Sequence, residues 1–134
     1  MNLLTIDDNI DTTEAVNDYC NMEGISCKVV NDGEKGLSEI QERDYDLILL
    51  DLAMPEYSGF DLLSEMKKQG VRDKKIIVFT ACCCLKMEDF KDYKEVGVRE
   101  IIKKPVELDH LDKVVKSFLM NGTRVNSNVS LINP

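Results

Sequence analysis

Long apolar runs are missing from this sequence. No stretch of its 134 residues approaches the roughly 20 consecutive apolar side chains that a membrane-spanning helix needs, which excludes helical membrane insertion. A basic and then apolar leader is missing too: Met1 to Asp8 carries neither, so no signal peptide is read and the expected compartment is cytoplasmic. Positive charge is in deficit, with 17 Lys and Arg against 25 Asp and Glu and a formal net charge of −8. Such a surface repels nucleic acid and anionic lipid, so neither direct nucleic-acid binding nor membrane association is expected. Five cysteines are an odd count without a secretory leader, and they read as reduced thiols rather than as a disulfide framework. The single histidine, His110, falls on the polar side of the last helical pattern and reads as a surface residue. Neither a repeat nor a low-complexity block is found. What remains is a chain of one domain's length, able to bury roughly two thirds of its unfolded surface.

The stretch that organises the rest is LILLDLAMPEYSG, Leu47 to Gly59. Leu47, Ile48, Leu49 and Leu50 form the continuous apolar run of a parallel strand buried on both faces, and Asp51 ends it. A carboxylate there is costly unless something pairs with it. Met54, Pro55 and Gly59 then turn the chain over the strand's C-terminal edge, where open parallel sheets bind ligands.

The same grammar repeats. Leu3 to Ile6 is a short strand stopped by Asp7 and Asp8, followed by helical spacing from Ile10 to Met22 and a stop at Gly24. Ser26 to Val30 is β-rich, and Asp32 is placed to N-cap the next helix, through Leu37 and Ile40. Phe60, Leu62, Leu63 and Met66 outline a third helix ending near Gly70, and Ile76 to Phe79 is a strand ending at Thr80. Phe90, Tyr93 and Val96 predict a fourth helix closed by Gly97, and Val98 to Ile102 a fifth strand ending at Lys103, Lys104 and Pro105. Leu108, Leu111, Val114, Val115, Phe118 and Leu119 give the last helix; the domain is expected over residues 1–120, with 121–134 a loose polar tail. Strict β-then-α alternation predicts an α/β fold, a doubly wound parallel sheet with helices on both faces.

Strands that all point one way deliver Asp7, Asp8, Asp51, Thr80 and Lys104 to one edge. Three carboxylates there repel each other by on the order of 4 kcal/mol per pair in contact at an effective dielectric near 20. All-oxygen ligands suit a hard divalent cation, and Mg²⁺ is the expected occupant. Lys104 as a movable point charge and Thr80 as a hydroxyl donor complement a tetrahedral oxyanion, so the implied ligand is a phosphoryl group. A carboxylate can itself be the nucleophile in phosphoryl transfer. Taken alone, Asp7 and Asp8 before a helix also fit an N-cap and dipole partner.

The paired acids, the LLDLAMPEYSG run, Thr80-Ala81 and Lys104-Pro105 occur in order, and jointly they resemble the receiver domain of two-component response regulators, most closely the stand-alone kind, from Leu3 to about Leu119. The resemblance implies a five-stranded (βα)5 flavodoxin-like fold of strand order 2-1-3-4-5. It implies that Asp51 is the phosphoryl acceptor, that Asp8, Asp51 and the Ala53 carbonyl ligate Mg²⁺, and that Asp7 acts mostly through water. Thr80 and the backbone N–H of Ala81 would hold phosphoryl oxygens, and Lys104 would pair with another. The donor would be a sensor histidine kinase or a histidine phosphotransfer protein. A downstream protein would read the face made by the fourth helix, fifth strand and last helix. Such a domain is a switch and not an enzyme on other substrates. One position departs from the family: three before the lysine, where Tyr or Phe is common, stands Ile101.

An aspartyl-phosphate hydrolase for small substrates is the competing reading, but it wants a second acid two residues after the nucleophile, where Ala53 stands. A flavin or nucleotide module wants a Gly-rich or hydroxyl-rich phosphate loop where Asp7 and Asp8 stand. Cys82, Cys83 and Cys84 read as small reduced side chains of the loop after Thr80.

Overall fold

A computed structural model describes residues 1–82, 84–105 and 107–124, with side chains up to residue 118 in the last helix. Five parallel strands form one sheet: β1 (Asn2–Ile6), β2 (Ser26–Val30), β3 (Leu47–Asp51), β4 (Ile76–Thr80) and β5 (Val98–Lys103), in the order β2-β1-β3-β4-β5. Between and after them run α1 (Ile10–Glu23), α2 (Gly33–Glu42), α3 (Gly59–Lys68), a 3-10 helix (Met87–Tyr93) and α4 (Leu108–Arg124). The expected α/β doubly wound sheet and its strand order are what the chain adopts.

The strands alternate their apolar side chains between two cores. Leu4, Ile6, Leu50 and Val78 pack with Leu62, Leu63 and Met66 of α3 and with Phe90 of the 3-10 helix. Leu3, Leu49, Ile77 and Phe79 pack on the other face with Val16 and Tyr19 of α1 and Leu111 and Val115 of α4. Every residue of β3 and β4 is buried, as strands covered on both sides require. At about 1.5–3 kcal/mol for each large side chain removed from water, these central strands anchor the sheet.

Local signals set the helix ends. The Asp32 carboxylate accepts the Lys35 N–H at 2.9 Å, the cap expected from sequence, and Ser58 with Asp61 closes a capping box on α3. Gly24, at φ 70°, ends α1. The cap of α1 is Asn9, whose side chain accepts the Thr12 N–H at 3.0 Å. Asp7 and Asp8 are therefore not the cap itself, although the Asp7 carboxylate accepts the Asn9 N–H at 3.0 Å just ahead of the helix.

Two boundaries differ from expectation. The predicted fourth helix is a 3-10 helix that ends at Tyr93, short of Gly97, and is held by stacking of Phe90 on Phe60 with ring centroids 5.3 Å apart. The last helix continues through Arg124, past the start of the predicted tail, and residues 125–134 of that tail lie outside the described residues. Among the described residues no helix is long and apolar enough to cross a membrane.

Candidate acidic phosphoryl site

The C-terminal edge of the sheet collects the strand ends. Asp7 follows β1, Asp51 is the last residue of β3, Thr80 the last of β4, and Lys104 follows β5. Parallel pairing of Ile6 with Leu50, of Asp51 with Phe79 and of Thr80 with Lys103 fixes them at one level. Carboxylate oxygens of Asp7, Asp8 and Asp51 lie within 4.8 Å of one another. Asp7 and Asp51 are buried while Asp8 is exposed, so the cluster opens to solvent on one side only.

One cation answers these acids directly. Lys104 Nζ stands 2.6 Å from Asp7 Oδ2 and 3.4 Å from Asp51 Oδ1. Burial, and then the neighbouring Asp7 carboxylate, push the Asp51 pKa from its ordinary 3.8 up to about 6, against the pull of Lys104 and of a hydrogen bond from the Ala53 N–H. Two acids shut in behind a third, sharing one ammonium, leave a surplus of negative charge. An oxygen-ligated divalent cation fits that donor set in both charge and chemistry.

The backbone around Asp51 is tightly drawn. The Gly59 N–H donates to the Leu52 carbonyl at 3.0 Å, and a Cβ on Gly59 would come within 2.5 Å of the Asp51 carbonyl oxygen. Glycine is required there by space alone.

The remaining expected site residues take distinct places. Thr80 is buried, and its hydroxyl accepts the Cys82 N–H at 3.0 Å. Its carbonyl accepts the Lys104 N–H at 2.8 Å, coupling the ends of β4 and β5. Ala53 and Ala81 are exposed. Ala81, Lys104, Pro105, Asn9, Thr12 and Leu108 line part of a cleft of ≈ 470 Å³ beside the acids. The Lys104–Pro105 peptide bond is cis. Ile101 is apart from the acids, half-buried against the core that contains Phe90 and Val96. His110 is exposed, as expected, and so are Cys82 and Cys84, while Cys83 lies outside the described residues.

Sequence reasoning missed Asn31. Its Nδ2 donates to the Asp7 backbone carbonyl at 2.7 Å and to the Thr13 hydroxyl at 3.2 Å, holding the β1 exit against α1. The signal was available, since Asn31 follows the second strand and reaches the same edge as the other strand ends.

Comparison with known proteins gives the same picture. Residues 3–116 match the family model described as the response regulator receiver domain. The transcriptional regulatory protein CiaR of Streptococcus pneumoniae is 31% identical over 126 residues, which are 94% of this chain and 54% of that protein. Among solved structures, the receiver domain of Francisella response regulator 1452 superposes with a TM-score of 0.77 at 25% identity, covering 90% of this chain and 98% of that one. The response regulator TrrA of Thermotoga maritima, solved in complex with Mg(2+)-BeF, is 28% identical with a TM-score of 0.71, covering 88% and 98%. The chain spans about half the length of the curated relatives first matched, 54% in two of them. With a family match over most of its length, on a sheet whose strand ends gather the acids that family uses, the chain belongs to the response regulator receiver domain family.

Proposed function

We propose that this domain is a phosphorylation-dependent switch in which Asp51 takes a phosphoryl group from a histidine kinase or histidine phosphotransfer protein, with Mg²⁺ bound at the acidic cluster. Receiver domains as a family are phosphorylation-based switches fed by such donors. The observation that carries the reading here is the cluster itself: Asp7, Asp8 and Asp51 with oxygens within 4.8 Å, answered directly by Lys104. The Mg(2+)-BeF complex of the Thermotoga relative supports the same cation in this domain.

Asp7, Asp8 and Asp51, with the Ala53 carbonyl, are the groups to hold the cation. When bound, the cation offsets charge on the phosphoryl oxygens during transfer. Asp51 acts as its carboxylate: one oxygen forms the bond to phosphorus as the histidine nitrogen leaves, with the two in line. Lys104 already bridges Asp7 and Asp51, and a small swing of its ammonium pairs it with a phosphoryl oxygen. Ala81 is exposed at the same edge, and its N–H donates to another. Thr80 turns its hydroxyl from the Cys82 N–H toward the phosphoryl group, and the loop after β4 follows.

Because Thr80 and Lys104 are hydrogen bonded through their backbones, that movement reaches β5 and the surface made by the 3-10 helix, β5 and α4. A protein partner reading that surface completes the switch, and the cytoplasm is the compartment this chemistry suits. No acid stands at Ala53, so turnover of small phosphorylated substrates is not favoured and the domain acts only on itself. The test is incubation with a small acyl phosphate donor with and without Mg²⁺, followed by hydroxylamine. A Mg²⁺-dependent, hydroxylamine-labile phosphoryl adduct is expected; a metal-independent or hydroxylamine-stable one contradicts the reading.

A further inference from the structure

Beyond the last pair of β1 with β2, Ile6 with Val30, the two chains part, because Asp32 caps α2 and turns its chain away. Asp7 nevertheless keeps a partner for each of its backbone groups. Its N–H donates to the Val30 carbonyl at 3.0 Å, and its carbonyl accepts the Asn31 side-chain amide at 2.7 Å, so a side-chain donor carries the ladder one residue past the strand. The amide nitrogen also donates to the Thr13 hydroxyl at 3.2 Å. Thr13 is buried, and its own proton is committed to the Ile10 carbonyl at 3.1 Å, so toward Asn31 the hydroxyl can only accept. The amide is therefore held one way round, with its nitrogen on the Asp7 carbonyl.

We propose that Asn31 is a positioning residue for the cation at the acidic cluster, fixing the peptide between Asp7 and Asp8 and with it the placement of both carboxylates. The assignment rests on the Mg²⁺ reading given above and adds to it a residue outside the ligand set. The Asp7 carbonyl belongs to the peptide that leads into Asp8. Asp8 is exposed, and bringing its carboxylate oxygen within 4.8 Å of those of Asp7 and Asp51 depends on how that peptide is turned. Asp7 is tied to the same frame: one carboxylate oxygen accepts the Asn9 N–H at 3.0 Å, and the other meets Lys104 Nζ at 2.6 Å. Losing the Asn31 donor lets the peptide tilt while β1 and β2 stay paired below it, so the cost falls on the geometry of the site. Mg²⁺ demands a near-ideal octahedron at short distances, and Ca²⁺ accepts a looser shell. A positioning residue is thus felt more by Mg²⁺ than by Ca²⁺, whereas a general loosening of the fold weakens both alike.

The test is calorimetric titration of the wild-type chain, Asn31→Ala, Thr13→Val and the double variant, with Mg²⁺ and separately with Ca²⁺. Asn31 is exposed, so its truncation empties no core. Asn31→Ala is expected to raise the Mg²⁺ dissociation constant about 10-fold, a usual cost of losing a group that orients a metal ligand, and the Ca²⁺ constant much less. Thr13→Val keeps the volume and removes the acceptor that orients the amide. It is expected to weaken Mg²⁺ binding by a smaller factor, and the double variant is expected to bind no more weakly than Asn31→Ala, since both substitutions act through one amide. An unchanged Mg²⁺ constant in Asn31→Ala, equal losses for the two cations, or effects of the two substitutions that multiply would overturn the assignment of Asn31 and leave the cation reading standing. Absence of Mg²⁺ binding by the wild-type chain would overturn both.

Discussion

At the scale of single residues, Asp51 carries an unfavourable charge that the fold tolerates. Its pKa rises from 3.8 to about 6 on folding, chiefly through burial and then through Asp7. The protonated form is thus the one the metal-free fold favours. That contribution is fully present below the unfolded value and is lost as pH rises through about 6, so between about pH 4 and 7 this residue makes stability fall. Asp51→Asn removes the charge and keeps the shape; in metal-free urea denaturation it is expected to stabilise the domain by about 1–3 kcal/mol at pH 7 and by much less at pH 4. Lys104 works in the opposite sense, since its ammonium stands 2.6 Å from Asp7 and 3.4 Å from Asp51. Lys104→Met leaves those carboxylates uncompensated, with an expected loss on the order of 3 kcal/mol at neutral pH. The Asp51 titration, followed by carboxyl NMR, should move further upward in that variant. These residues were legible in sequence because a charged residue ending an apolar strand is conspicuous. Asn31 was not, because a polar residue in a turn is ordinary until its hydrogen bond to Asp7 is seen.

Elements place these residues by close approach. Gly59 opens α3 under the Asp51 carbonyl, where a Cβ would sit 2.5 Å from oxygen and 2.9 Å from the Leu52 Cα. Gly59→Ala must push α3 and the end of β3 apart. It is expected to cost about 1–3 kcal/mol in denaturation and, by displacing Asp51, to slow phosphoryl uptake in the same preparation. Most elements were readable: β3 and β4 are continuous apolar runs, and Asp32 caps α2 where its position before Gly33 implied. The fourth helix takes the tighter 3-10 form for a physical reason. Phe90, Tyr93 and Val96 recur every three residues, with no apolar partner at a step of four, and three residues per turn is the 3-10 repeat. The segment instead depends on Phe90, buried and stacked on Phe60. Phe90→Ala should destabilise the domain by about 3–5 kcal/mol, read as a shift of the urea midpoint.

For the molecule as a whole, the acidic site sits at one edge of a sheet sealed by two apolar cores. On its far face α1 and α4 are tied by Tyr19 to Asp112 at 2.7 Å and by Lys116 to Glu23 at 3.1 Å, with Lys116 also paired to Asp112 within α4 at 3.2 Å. Cation binding to such a site is coupled to global stability. Mg²⁺ at a hundred times its dissociation constant should stabilise the wild-type fold by about 2.7 kcal/mol, and Asp8→Asn should lose most of that gain. The topology was legible because β and α patterns alternate without interruption, and the chemistry because one strand direction gathers the strand ends. The central claim, that Asp51 is the residue modified, is tested most directly by intact mass measurement of wild type and Asp51→Asn after incubation with Mg²⁺ and a small phosphoryl donor. A gain of one phosphoryl group in wild type and none in the variant is predicted; no gain in wild type, or an equal gain in both, would contradict it.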